Sequence, residues 1–280
     1  MREIKTIEII EAVREMCIKA NYTLNKDVIN AIVKAKNNEE SPIGKDILKK
    51  MLLNLEIAKE KMIPICQDTG MAVFFVDIGQ EVIIQDEGIE YAINEGVKRG
   101  YLEGYLRKSV VRDPILRVNT NDNTPAIIHY NIVEGDKLRI RFAPKGFGSE
   151  NMGALKMLKP SDGIGGIKKF IKDTVKECGP NACPPLIVGI GIGGTMEKAC
   201  LLAKEALLRD IGQHNMKQHI KELEVELLSE INKLGIGPQG LGGRTTALAV
   251  NIETYPTHIA GLPVAVNLNC HVARHSEVII

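Results

Sequence analysis

The chain has 280 residues, 44% of them hydrophobic and 25% charged, with a formal net charge of +1. That length and hydrophobic share suffice for a packed core, and near-neutrality gives no reason to expect nucleic acid or an anionic membrane as partner. No apolar run approaches a bilayer span. The opening Met1-Arg2-Glu3-Ile4-Lys5 interleaves charge with apolar residues, unlike a signal or transit sequence. A cytoplasmic location is expected, where thiols stay reduced and the six cysteines gain weight as metal or catalytic groups rather than disulfides.

Residues 1–61 read as helical. Ile4, Ile7, Ile10, Val13 and Cys17 recur at helical spacing, then Val28, Ile29, Ile32 and Ala35. Ser41-Pro42 is a cap with proline at the first helical position, and the helix it opens, to about Lys61, carries Ile47, Leu48, Met51, Leu52 and Leu55 on one stripe. After Pro64 the pattern changes. Met71 to Ile78 reads as a buried strand and Glu87 to Glu103 as a helix, while Ala126–Val133 and Lys137–Phe142 read as strands joined at Glu134-Gly135-Asp136 by a tight turn. A glycine-rich loop, Lys145-Gly146-Phe147-Gly148-Ser149, precedes a helix near Gly165–Lys176, the strand Leu186–Ile192 and a helix from about Thr195. A charged helix spans roughly Met216–Leu234, Gly235–Gly243 form a second glycine-rich loop, and strands Thr246–Ile252 and Leu262–Leu268 lead to Cys270. With no regular repeat and no linker, the expected fold class is α+β: one domain over residues 1–280, its helical N-terminal part covering a mixed α/β cluster-binding region at 62–280.

Cys66, Cys183 and Cys270 each stand in a loop at the edge of an apolar strand-like run. Such thiols can converge, and three thiolates are one short of the four that normally close a 4Fe–4S cluster, leaving one iron open as a Lewis acid. Asp68 and Gln67 beside the first thiol add proton-transfer and hydrogen-bonding groups that an electron carrier would not need. Cys17 and Cys200, in apolar helical settings, read as small buried side chains. Cys178, five positions before Cys183, remains an alternative ligand to it. Cys270-His271 also allows a zinc site, although adjacent residues of an extended segment point to opposite faces. Gly189-Ile190-Gly191-Ile192-Gly193-Gly194 matches the dinucleotide fingerprint, but the acid that should end a second strand, Asp210, follows a helix-like run. The glycines are therefore expected to serve close backbone packing or an anion near a helix N-terminus.

Ile65-Cys66-Gln67-Asp68-Thr69-Gly70, Ala143 to Asn151, Cys183-Pro184-Pro185 with the Gly189–Gly194 run, and Asn269-Cys270-His271 together resemble the alpha subunit of class I fumarate hydratases. L-tartrate dehydratase alpha subunits are the close relatives, and the motifs stand in the family's order over nearly the whole chain. The resemblance implies a 4Fe–4S cluster held by Cys66, Cys183 and Cys270 with one open iron. It further implies fumarate and L-malate as substrate and product, Asp68 as the acid and Gln67 as an orienting group. Arg107 and Gly146 would bind substrate carboxylates, and His258 matches a histidine of the active site. Tartrate dehydration is the alternative of the same chemistry. The base for elimination would belong to a separate beta subunit, in an α2β2 assembly.

Overall fold

The computed structural model describes residues 1–280. In chain order the elements are β1 (Arg2–Lys5), α1 (Thr6–Tyr22), α2 (Lys26–Asn38), α3 (Pro42–Lys61), β2 (Met71–Gly79), β3 (Val82–Gln85), α4 (Ile89–Glu103), β4 (Ile127–Val133) and β5 (Leu138–Lys145). They continue as α5 (Phe147–Glu150), β6 (Ala154–Leu158), α6 (Gly163–Cys178), β7 (Leu186–Gly193), α7 (Met196–Ala206), α8 (Gln218–Asn232), β8 (Ala247–Tyr255), β9 (Leu262–Asn269) and β10 (Ser276–Ile279). The fold is α+β, and no helix is long and apolar enough to cross a membrane. The chain forms two compact units: Met1–Leu24, Leu55–Phe147 and Arg274–Ile280 make the first, Asn25–Asn54 and Gly148–Ala273 the second.

The first unit is built on a four-stranded sheet in the order β10-β5-β2-β4. Ala72 to Val76 are buried without alternation, the mark of a central strand covered on both faces. β2 pairs parallel with β4 and antiparallel with β5, so β4 and β5 are not the hairpin that Glu134-Gly135-Asp136 suggests. Their connection instead crosses the end of β2. Gly79 N donates to Lys137 O and Glu81 N to Gly135 O, and a Cβ at Gly79 would lie 2.3 Å from Gly135 O, so a glycine there permits the crossing. Phe74 and Phe142 stack across β2 and β5 with ring centroids 4.8 Å apart. α1 and α4 pack on this core through Ile9, Val13, Cys17, Ile93, Val97 and Tyr101. Gly96 and Gly100 give them room, since added Cβ atoms would stand 2.6 and 2.7 Å from those of Val13 and Cys17. Burying such side chains contributes about 1.5–3 kcal/mol each.

The second unit has a sheet in the order β6-β9-β7-β8, with β7 and β8 parallel and β9 antiparallel to β7 and β6. Val188 and Ile190 face a core shared with Ile167, Ile171 and Val175 of α6 and Leu223, Leu227 and Ile231 of α8. The alternate positions of β7, Gly189 and Gly191, meet α7: added Cβ atoms would stand 2.2 and 2.0 Å from Ala203 O and Ala199 O. Close backbone packing thus accounts for these two glycines of the fingerprint. The parallel neighbour of β7 is β8, with both α7 and α8 intervening in the chain, and Asp210 lies in a turn after α7. Cys200, expected to be buried, is exposed on α7; that helix buries Ala199, Leu202, Ala203 and Ala206 instead. Cys17 is fully buried.

Candidate active site

The turn from Cys66 to Gly70 leads from α3 to β2, and the carbonyls of Asp68, Thr69 and Gly70 are each held by a side chain. Tyr101 of α4 donates its hydroxyl to Thr69 O at 2.7 Å and Gly70 O at 3.1 Å, and Asn123 Nδ2 donates to Gly70 O at 3.2 Å. Burial holds the Tyr101 phenol well above its ordinary pKa, so it stays a donor. Arg274, 3% exposed, donates through Nη2 to Asp68 O at 2.8 Å and through Nη1 to Asn21 Oδ1 at 2.8 Å. None of these holding groups is visible in the motif itself. Tyr101 continues the apolar stripe of α4, and Arg274 near the chain end resembles any surface charge.

Asp68 is half-buried, and each of its carboxylate oxygens accepts one backbone N–H: Oδ1 from Gly70 at 3.0 Å and Oδ2 from Phe147 at 2.9 Å. Gly70 adopts φ +76°, and a Cβ there would lie 2.8 Å from Lys145 N. A Cβ on Gly146 would stand 3.1 Å from Asp68 Oδ2. Gly146 thus makes room for the carboxylate, and Lys145–Ser149 is the end of β5 running into the helical turn α5 rather than a free loop. Gln67 is exposed, its Oε1 3.4 Å from the half-buried Cys66 Sγ. Arg107 is an exposed loop residue past the end of α4. Its N–H donates to Thr69 Oγ1 at 2.9 Å, and that hydroxyl lies 3.2 Å from its carbonyl. The backbone of Arg107 is therefore fixed to Thr69, the residue that follows Asp68, while its side chain is exposed.

In the second unit, Cys183 precedes β7 and Cys270 follows β9, and the pairing of Ile187 with Asn269 brings the two thiol segments to one end of the sheet. A register irregularity between Leu186 and Ile187 sits beside them, as bulges often do where a side chain must be re-aimed. Cys183 is exposed, and its backbone is left-handed at φ 55° and ψ 63°. Cys178 packs against the core at the end of α6, and burial, then the nearby Glu177, raises its thiol pKa. The accessible thiol of this pair is Cys183. His271 directs Nδ1 to Cys183 O at 3.1 Å, which occupies the ring nitrogen nearest that cysteine. His258 lies in the exposed turn between β8 and β9, its carbonyl accepting from Gly261 N. That turn is at the other end of the sheet, about 25 Å from Cys270 along a strand of eight residues at ~3.3 Å each. The structure does not bring His258 together with these thiols.

Three soft thiols in partly or fully exposed loop positions are a donor set that suits an iron–sulfur group. No three His, Cys, Asp or Glu side chains stand at metal-binding spacing, so the fit rests on donor chemistry and access.

A mixed α+β chain with a carboxylate pinned beside a thiol, and further thiols at a sheet end, matches one family over almost its full length. Residues 10–279 match the family Fumarate hydratase (Fumerase), and the chain belongs to it, a family of hydro-lyases that includes tartrate dehydratase alpha subunits. A protein of Methanocaldococcus jannaschii, provisionally named L(+)-tartrate dehydratase subunit alpha, is 44% identical over 276 residues, covering 96% of each chain. The L(+)-tartrate dehydratase subunit alpha of Escherichia coli (strain K12) is 33% identical over 273 residues, 94% of this chain and 89% of the relative.

Proposed function

We propose that this chain is the iron–sulfur subunit of a hydro-lyase that reversibly adds water to fumarate to form L-malate. The observation that carries the reading is the Asp68 carboxylate. Held by one backbone N–H on each oxygen, it keeps a lone pair on each for a proton moving to or from a substrate hydroxyl. Cys66, Cys183 and Cys270 would hold three irons of a 4Fe–4S cluster. When bound, that cluster supplies Lewis-acid polarisation of a substrate oxygen at its open iron. Gln67, exposed beside Cys66, orients the substrate. Arg107 projects from a backbone fixed by Thr69 and is free to pair with a substrate carboxylate. Gly146, which leaves room for Asp68, would bind a substrate carboxylate oxygen through its backbone.

The names of the relatives support a second substrate reading, L(+)-tartrate, and also a separate beta subunit that would supply the base for elimination in an α2β2 assembly. Anaerobic co-expression with a cognate beta subunit, followed by turnover assays on fumarate and L(+)-tartrate, separates the substrates. Serine at Cys66, Cys183 or Cys270 should abolish the brown chromophore and the bound iron, while serine at Cys17, Cys178 or Cys200 should leave both. A colourless wild-type complex with full hydratase activity would overturn the iron–sulfur reading. Tartrate turnover without fumarate turnover would overturn the fumarate one.

A further inference from the structure

Cys183 holds φ +55°, a conformation that a side chain with a Cβ adopts only when its surroundings impose it. Two residues impose it here. His271 places its N–H 3.4 Å and its Nδ1 3.1 Å from Cys183 O. Gln239 donates twice to the next carbonyl, Pro184 O, from its backbone N at 2.8 Å and its Nε2 at 3.1 Å. The carbonyl can only accept, so the His271 contact is a hydrogen bond in the tautomer that carries its proton on Nδ1, and Gln239 Nε2 stands 3.5 Å from the same nitrogen.

Gln239 is itself left-handed, at φ 55° and ψ 19°, in a loop where Gly237, Gly240, Gly242 and Gly243 also have positive φ. Glycine would take that conformation without strain. What glutamine adds is the side-chain amide. The loop that carries it is firmly seated: Gly237 N donates to Thr246 Oγ1 at 3.3 Å, and the buried Glu39 carboxylate accepts from the N–H groups of Arg244 and Thr245 at 2.8 to 3.0 Å. A fixed platform thus delivers an amide to the peptide that follows Cys183.

We propose that Gln239 is a positioning residue that presents the Cys183 thiol, acting with His271 through the carbonyls of Cys183 and Pro184. The inference rests on the assignment of Cys183 as a cluster ligand. Partners of this kind, one bond removed from a ligand, set ligand orientation and typically change metal affinity by 10- to 100-fold.

Gln239→Gly and Gln239→Glu both remove the amide donor, the first while relaxing the backbone and the second while keeping side-chain length. In the full chain reconstituted anaerobically, both should shorten the lifetime of the visible cluster absorbance against an iron chelator about tenfold. The Gly variant should unfold at the same temperature as wild type or higher, which a purely structural role for the loop would not pair with cluster loss. In cluster-free chain, alkylation by iodoacetamide located by mass spectrometry should change severalfold at Cys183 and not at Cys200. Wild-type cluster lifetime in both variants, or unchanged Cys183 alkylation, overturns the proposal. A wild-type chain that takes up no cluster, together with altered Cys183 alkylation in the variants, supports the positioning role and overturns the ligand assignment instead.

Discussion

Asp68→Asn is the substitution that most directly separates structure from chemistry at this site, because asparagine matches the shape of aspartate but not its acceptors. Asp68 presents one oxygen to Gly70 N and the other to Phe147 N, at 3.0 and 2.9 Å. An asparagine amide has one oxygen, so one of these N–H groups must face an NH2 group, donor against donor. A lost bond to a charged acceptor is worth about 1.5–3 kcal/mol when buried. Asp68 is half-buried, and water can relieve part of the loss, so about 1–2 kcal/mol is the expected cost. At roughly 2–4 °C per kcal/mol for a chain of this order of size, the thermal midpoint should fall by about 2–8 °C. Because Asp68 is the acid proposed above, the variant would also have no carboxyl proton to transfer, which should independently lower turnover about 10²- to 10⁴-fold without changing the visible spectrum. Differential scanning of the anaerobic protein gives the first quantity, and, for the proposed fumarate hydration, ultraviolet absorbance of the fumarate double bond with the beta subunit co-expressed gives the second. Near-wild-type turnover in a cluster-replete variant would move the acid to another residue. An unchanged midpoint would refute the two-sided seating of the carboxylate.

Glu39 is 1% exposed and accepts from the backbone N–H groups of Glu40, Ser41, Arg244 and Thr245. Burial pushes its pKa up, but the four sets of amide bonds outweigh it and hold the pKa below the ordinary 4.5. A depressed carboxylate pKa contributes stability that is present above the unfolded value and lost as pH falls through the folded one. Urea midpoints should therefore drop as pH is lowered below about 4.5, and Glu39→Gln should flatten that drop while costing about 2–3 kcal/mol at neutral pH. Gly191→Ala sets a Cβ 2.0 Å from Ala199 O, a backbone contact that can be relieved only by lifting α7 from β7; a loss of ~3 kcal/mol or more is expected in urea unfolding. Arg274→Met should lower unfolding free energy by about 3 kcal/mol, since it leaves Asp68 O and Asn21 Oδ1 without their donor. A midpoint within error of wild type would show that neither acceptor depends on the guanidinium.

Helical stripes and buried strands were legible because each is a short-range pattern: α6, β7, α7, β8 and β9 stand within a few residues of where the apolar spacing places them. What failed was pairing. The run from Ala126 to Phe142 looks like a hairpin because its turn signal is local, whereas the insertion of β2 between β4 and β5 depends on a strand that ends at Gly79. The short strands β1, β3, β6 and β10 were missed for a related reason. Each has only four or five residues, too few for a period to show, and is defined by its partner.

The candidate site divides along the same line. Cys66, Asp68, Cys183 and Cys270 stand out because a thiol or a carboxylate in a loop at the edge of an apolar run is chemically conspicuous. The groups that hold them are ordinary residue types acting on backbone atoms far away in sequence. Tyr101 is 32 positions from the carbonyl it bonds at Thr69, and Arg274 is 206 from that of Asp68. Gln239 is 55 positions from Pro184. A backbone carbonyl carries no residue signature, so no local spacing could have named its donor. Chemistry in this chain is therefore written in side chains that a motif can display, while the geometry on which that chemistry depends is written in bonds to the main chain.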